Sequence, residues 1–493
     1  MLSRMKSLPK PTQPFIGRKS ELSLIETISQ TRPAILIIHG RRRIGKTSLV
    51  ERAFRDETIL KFEGIEGLSK KAQINAFLLQ LTTYIEKFDS KNANLIKILI
   101  SKISTKVGWF EILAILSEYV VNKKLVLFFE EFQWLASYDD ELIGAPKYYW
   151  DNCFKDEKNI LLVLCGSSPS FMVNHVVYSK ALYNRSQYEL PLQQFTIYEA
   201  KQFLGRRYSN QDVMDAYLLV GGIPEYLKYL TQDSSIYLSL AANSFTKGAF
   251  FKSECSKIFI SSLSQNPNYQ EIVKFLSKVK FASRDEILRH LKLESGSNTS
   301  RILDDLEISG IISKYTPYNK TAKTKLVRYE IADSYLQFFY KFVEPKIKMI
   351  DRGDFQQKPS DALPISSLDQ WLGYSYERFC RNNAPLIAKI LGFGAVSYTY
   401  GPYFNRASSK EDKNYQLDLV FDRKDKVVTV CEIKYTRSPI SAKHAKEFLV
   451  KMDFFTPKGR TIQTVLICNQ APTDEVLNGR YFDQIITLDE LIS

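Results

Sequence analysis

The sequence predicts an α/β multidomain chain: a parallel sheet covered by helices, a helical segment, three helices with a hairpin, and a second α/β domain. Three observations carry this. From Phe15 to about Leu190, the apolar runs "AILIIHG", "TILKFEG", "KLVLFFEE" and "NILLVLCGSS" alternate with amphipathic helical patterns, as in a parallel sheet buried on both faces. Between Pro267 and Pro345 the pattern changes to helices followed by one hairpin. Beyond the polar, proline-containing stretch Asp351 to Ser367, helix and strand patterns begin again. With 493 residues the chain exceeds what one core serves, and segments 12–194, 195–262, 263–350 and 365–493 are the expected divisions.

Apolar residues at 44% and charged residues at 25% are the proportions of a globular chain, and the net charge of +14 favours an anionic partner. The six cysteines, Cys153, Cys165, Cys255, Cys380, Cys431 and Cys468, are scattered with no C-x-x-C pair. Several sit in apolar runs such as "LLVLCG" and "VVTVCEI", where free buried thiols are expected. That speaks against a disulfide framework or zinc site and for a reducing compartment. The start, "MLSRMKSLPKPTQPF", is basic and proline-broken, and no run approaches the roughly 18 apolar residues of a membrane span. A cytoplasmic protein with no export signal and no membrane contact is expected.

The first run ends in "HGRRRIGKTSLVERAF". Gly40, Gly45, Lys46 and Thr47 fit G-x-x-x-x-G-K-[ST], with a strand before and a helix after, which is the context this phosphate-binding loop requires. The glycines allow successive N–H groups to turn inward, and the helix opening near Lys46 adds its positive end. Gly40, Arg43, Ile44, Gly45, Lys46, Thr47 and Ser48 are the expected nucleotide contacts. Lys46 would reach the β- and γ-phosphates of ATP, and the Thr47 hydroxyl would help hold Mg²⁺. Arg41, Arg42 and Arg43 are not needed for the cradle itself and would face solvent, a partner or the nucleotide's surroundings.

A second element should place carboxylates opposite the cradle. "KKLVLFFEEFQWL" supplies Glu130, at the position that holds Mg²⁺, and Glu131, at the position that polarises the lytic water. The strand "NILLVLCG" ends in "GSSPS", so Ser167 or Ser168 is a candidate γ-phosphate sensor. Thr196 to about Thr246 then reads as a helical lid, broken once by "VGGIPEYL".

"NYQEIVKFLSKV", "SRDEILRHL" with a Ser283 to Glu286 capping box, and "SNTSRILDDLEISG" read as three helices. "IISKYTPYNKTAKTKLVRYEI" reads as a hairpin, completing a winged helix-turn-helix pattern. The hairpin carries Lys314, Lys320, Lys323, Lys325 and Arg328 with no acidic residue between Ile311 and Tyr329. A wing on DNA phosphates and a solvated hairpin both account for it.

These features resemble the AAA+/STAND-type ATPases noted mainly in archaea, those with a winged helix and a nuclease-like C-terminal domain. "FIGRKSEL", "GRRRIGKTSL", "LFFEEFQWL", "LCGSSPSFM", "KALYNRSQYELPL" and "VGGIPEYL" carry the resemblance. It implies that Arg185 is a γ-phosphate-sensing finger, acting in cis or from a neighbouring subunit of a homo-oligomer. Two departures stand out: Asn184 replaces the family's glycine, and Glu130 replaces the usual aspartate of the strand-end pair.

In the last segment "YQLDLVFDRKDKVVTVCEIKY" reads as a hairpin. If Asp422 faces Val428, Asp418 lies opposite Glu432, and Lys434 follows two residues along the same face. Two carboxylates and a lysine on one edge are what a metal-dependent phosphodiesterase needs, the carboxylates as Mg²⁺ ligands and the lysine on the water. The pattern resembles the restriction-endonuclease-like D…E-x-K motif, with Glu377 resembling that fold's extra acidic residue. Surface charges on a half-buried sheet are the other reading. Together these features suggest an ATP-driven switch acting on or near DNA, or a nucleotide-gated scaffold whose last domain binds without cutting.

Overall fold

Ala34–His39, Leu125–Glu130 and Ile160–Gly166 are apolar almost throughout, and every residue in them is buried. Strands without a polar face must be covered on both sides. In the computed structural model they form β1, β3 and β4 of a five-stranded parallel sheet, completed by β2 (Ile59–Glu63) and β5 (Gln187–Pro191) in the order β2-β3-β4-β1-β5. The structure describes residues 15–89, 108–136, 140–157, 159–180, 187–263, 266–293, 296–318, 327–405 and 414–493. Its packing separates two units, Met1–Gln193 with Ser261–Leu263, and Gln194–Ile260 with Ser264–Ser493. Helices Lys70–Phe88 and Trp109–Val120 bury Phe77 and Trp109 against the sheet of the first unit, where Phe62 and Phe77 stack at 3.9 Å.

The second unit opens with helices Ile197–Leu204, Asn210–Val220, Pro224–Tyr229 and Ile236–Phe245, the segment expected as a lid. These helices belong by packing to the second unit. Buried Asp215 accepts hydrogen bonds from the Tyr237 and Tyr435 hydroxyls and from Gln211, and the Tyr226 ring lies 5.3 Å from Tyr335.

Helices Pro267–Lys278, Arg284–Leu291 and Ser297–Ile308 follow, with β6 (Ala282–Ser283), β7 (Ile312–Tyr315) and β8 (Arg328–Ile331) in an antiparallel sheet ordered β6-β8-β7. The Ser283–Glu286 capping box is formed, the Glu286 carboxylate accepting the Ser283 N–H at 2.6 Å. The stretch read from sequence as a link is packed instead. It starts in the last turn of helix Ile347–Arg352 and contains a short 3-10 helix at Pro359–Ala362, and its apolar residues Ala362 and Leu363 are buried.

After helices Ile365–Asn382 and Ala384–Ile390 come β9 (Tyr398–Asn405), β10 (Tyr415–Arg423), β11 (Val427–Lys434), helix Ala442–Met452, β12 (Thr461–Cys468) and β13 (Gln484–Ile486). The sheet order is β13-β12-β11-β10-β9, antiparallel from β9 to β11 and parallel from β11 to β13. β10 and β11 pair with Asp422 opposite Val428 and Leu419 opposite Cys431. Neither β9, interrupted by Gly-Pro, nor the three-residue β13 was read from the sequence. Among the described residues no helix is long and apolar enough to cross a membrane.

Candidate functional site

The loop after β1 forms the cradle its spacing implies. Gly40 has φ +154°, and a Cβ there would stand 2.3 Å from the Leu192 carbonyl oxygen, so no side chain fits. Gly45 has φ +92° and caps helix Lys46–Ala53, whose free N–H groups face the loop. Lys46 folds back, its Nζ donating to the carbonyls of Gly40 at 2.9 Å and Arg41 at 3.0 Å. Burial pulls its ammonium below the ordinary lysine value, while the charges of Glu131 and Glu130 work against that. Ile44 is buried, Arg43 holds a left-handed φ of 72°, and Ser48 is exposed. One contact went unread: buried Arg18, of the "FIGRKSEL" stretch, donates to the Ile44 carbonyl at 3.1 Å and braces the loop.

Glu130 closes β3 beside the cradle. The Thr47 hydroxyl donates to its Oε1, and Lys61 on β2 reaches its Oε2 at 2.5 Å. Burial works to lower the Lys61 pKa, but the hydrogen bond and charge of Glu130 hold it above the ordinary value. A hydroxyl and a carboxylate side by side at a helix N-terminus are the hard oxygen donors that suit Mg²⁺, and bound Mg²⁺ would offset charge on the β- and γ-phosphates.

Glu131 sits at φ 49°, a left-handed conformation that a side chain other than glycine adopts at some strain. Its Oε2 accepts from Ser167 Oγ at 2.6 Å and from Gln133 Nε2 at 2.6 Å, and Gln133 also donates to Ser167 Oγ at 3.0 Å. The end of β4 is thereby joined to the carboxylate expected to act on water. Gln133 lay within the quoted "LFFEEFQWL" but was not singled out. Lys61 lies inside the run "TILKFEG" with no motif to mark it, and only the neighbour relation of β2 and β3 shows its partner. Arg185 lies outside the described residues, as do Lys320, Lys323 and Lys325.

In the hairpin, Lys314 pairs with Glu307 at 2.7 Å and Arg328 with Glu286 at 3.2 Å. The Tyr318 N–H donates to the Pro402 carbonyl at 3.0 Å, so the base of the hairpin docks on β9.

The structure gathers Asp418, Glu432 and Lys434 at one sheet edge. β9 slips register against β10 between Leu417 and Val420, and Asp418 stands at that bulge with its Oδ2 accepting the Ile433 N–H at 3.0 Å. Burial, followed by the charges of Glu432 and Glu377, pushes its carboxyl up to about 7. Glu432 is 1% exposed and accepts from Lys434 at 2.7 Å and from Lys451 at 2.9 Å on each oxygen. Glu377 accepts from Lys280 at 3.3 Å. A cavity of about 370 Å³ is bordered by Asp418, Glu377, Lys280 and Lys451. Neither Lys280 nor Lys451 carried a sequence signal, since both belong to elements remote from the E-x-K strand.

Residues 15–230 match a family model described as an ATPase domain predominantly from Archaea. An uncharacterised protein of Methanocaldococcus jannaschii is 23% identical over 426 residues, 85% of this chain and 87% of that one. Among solved structures, a Walker-type ATPase of Pyrococcus abyssi aligns with a TM-score of 0.48 and 17% identity, over 66% of this chain and 96% of that one. The ORC2 protein of Aeropyrum pernix, solved as ADPNP and ADP complexes, aligns with a TM-score of 0.38 and 13% identity, over 69% of this chain and 95% of that one. Over residues 15–230 the chain is similar to ATPase domains of the archaeal type.

Proposed function

We propose that the chain is an ATP-driven switch in which nucleotide at the P-loop controls a winged helix and a nuclease-like domain acting on or near DNA. One constellation carries the reading: Lys46 in the cradle, with Thr47 and Glu130 joined beside it at the start of helix Lys46–Ala53. Lys46 binds the β- and γ-phosphates of ATP, and Thr47 and Glu130 hold Mg²⁺. Glu131, oriented by Ser167 and Gln133, polarises water, and Arg185 senses the γ-phosphate in cis or from a second copy. DNA as the partner is supported by the +14 charge and by the pattern of three helices and a hairpin.

Lys46→Ala tests the core of this. ATP should raise the melting temperature of the wild type and leave the variant unmoved. Equal ATP-dependent stabilisation of both would refute the assignment of Lys46.

A second reading, a nucleotide-gated scaffold whose last domain binds without cleaving, is favoured by the two lysines on Glu432. Supercoiled plasmid with Mg²⁺ discriminates: nicking by wild type and not by Glu432→Ala supports cleavage, and intact plasmid with retained DNA binding supports the scaffold.

A further inference from the structure

The D…E-x-K edge has the residues of a metal site but not the charge of one. Both oxygens of Glu432 are taken by Lys451, from helix Ala442–Met452, and one of them also by Lys434. Two ammonium groups thus stand on one carboxylate. Asp418 Oδ2 is held by a backbone N–H, and Glu377 by Lys280. Among the described residues no group of three or more His, Cys, Asp or Glu side chains is placed to hold a metal ion. Space is not what is lacking, because the cavity of about 370 Å³ lies directly alongside. A divalent cation here would depend on the negative charge of one or two of these carboxylates, and Glu432 already carries two ammonium groups. The residues as they stand do not fit Mg²⁺ or Mn²⁺.

We propose that Lys451 occupies the place of the cation, so that the edge is a lysine-closed, metal-free counterpart of the D…E-x-K arrangement. This rests on the reading in which the last domain binds without cleaving. Lys434 already compensates the buried Glu432 carboxylate, and Lys451 adds the second positive charge that offsets its acidic neighbours Asp418 and Glu377. It does so without the dehydration and concentration dependence of a bound ion, so the edge keeps one structure whatever the divalent cation level.

The test uses the nucleotide-free full chain, with Mn²⁺ alone as probe, by calorimetry and by electron paramagnetic resonance of free Mn²⁺. Wild type should show no Mn²⁺ binding that Asp418→Asn removes. Lys451→Met should bind Mn²⁺ at least about tenfold more tightly than wild type, the size of effect exerted by groups that touch metal ligands. Adding Asp418→Asn to that variant should remove the gain. If Lys451→Met does not fold, Lys451→Gln keeps a polar tip for Glu432 and should show the same gain. Asp418-dependent Mn²⁺ binding by wild type overturns the inference, as does a folded Lys451 variant with no gain. The parent reading fails separately: wild type that nicks plasmid in Mn²⁺ sinks the non-cleaving reading too, whereas binding without nicking sinks only the lysine closure.

Discussion

Replacing Arg381 by Met should destabilise the second unit by about 3–5 kcal/mol, the cost of breaking a buried ion pair from one side. Arg381 belongs to helix Ile365–Asn382 and Glu330 to β8, with side chains 7% and 4% exposed. One guanidinium nitrogen donates to Glu330 Oε2 at 2.9 Å and to Oε1 at 3.3 Å, and the group lies 5.7 Å from the centre of the Tyr315 ring. Charged hydrogen bonds of this kind contribute roughly 1.5–3 kcal/mol each, but the larger loss is the Glu330 carboxylate left buried without its cation. Met fills much of the same volume, so a cavity adds little. Urea unfolding followed by circular dichroism should show the lowered midpoint. Arg381→Met combined with Glu330→Leu should recover most of the loss, because two apolar residues suit a site that one charge does not. The coupling energy of that cycle measures how firmly the three-helix segment is tied to the last domain. A single-variant loss below about 1 kcal/mol, or a double variant as unstable as the sum of the singles, would refute this account.

Glu131→Gln should keep ATP binding and slow phosphate release on the order of 100-fold, since an amide cannot polarise water as the carboxylate does; an unchanged steady-state rate would move that role to another residue. Asp418 keeps its proton up to about pH 7 in the folded chain but loses it near 3.8 when unfolded, so its contribution is complete below 3.8 and is lost as pH rises towards 7. Asn is neutral throughout, so the stability of Asp418→Asn relative to wild type should climb across that window, by at most about 1.4 kcal/mol per pH unit, and a flat difference would contradict it. Replacing Lys320, Lys323 and Lys325 together by alanine should weaken DNA binding across sequences and flatten its log–log salt slope by roughly 0.9 per lost phosphate contact; equal slopes return the hairpin to the solvated reading.

The sequence by itself determined what is local. The cradle is a run of adjacent residues, Gly40 to Ser48, between a strand and a helix whose apolar patterns are unambiguous, so spacing alone brings its atoms together. The β10–β11 register was only conditional in the sequence, because a turn longer or shorter by one residue reverses the facing, and the structure shows the assumed pairing of Asp422 with Val428. Tertiary structure decided every partner that comes from elsewhere in the chain. Lys61 reaches Glu130 because β2 lies next to β3, and Arg18 braces the loop from a segment 26 residues earlier. The expected lid packs in the second unit, where its Asp215 accepts from the Tyr435 hydroxyl and its Tyr237 hydroxyl accepts from Arg437. At the carboxylate edge the motif gave the residue types, but its charge depends on Lys451 and Lys280, brought in by a helix and a turn that the E-x-K strand does not specify. A side chain's chemistry is written in the sequence. The charges that surround it are set by which surfaces pack together, and that is a property of the whole fold.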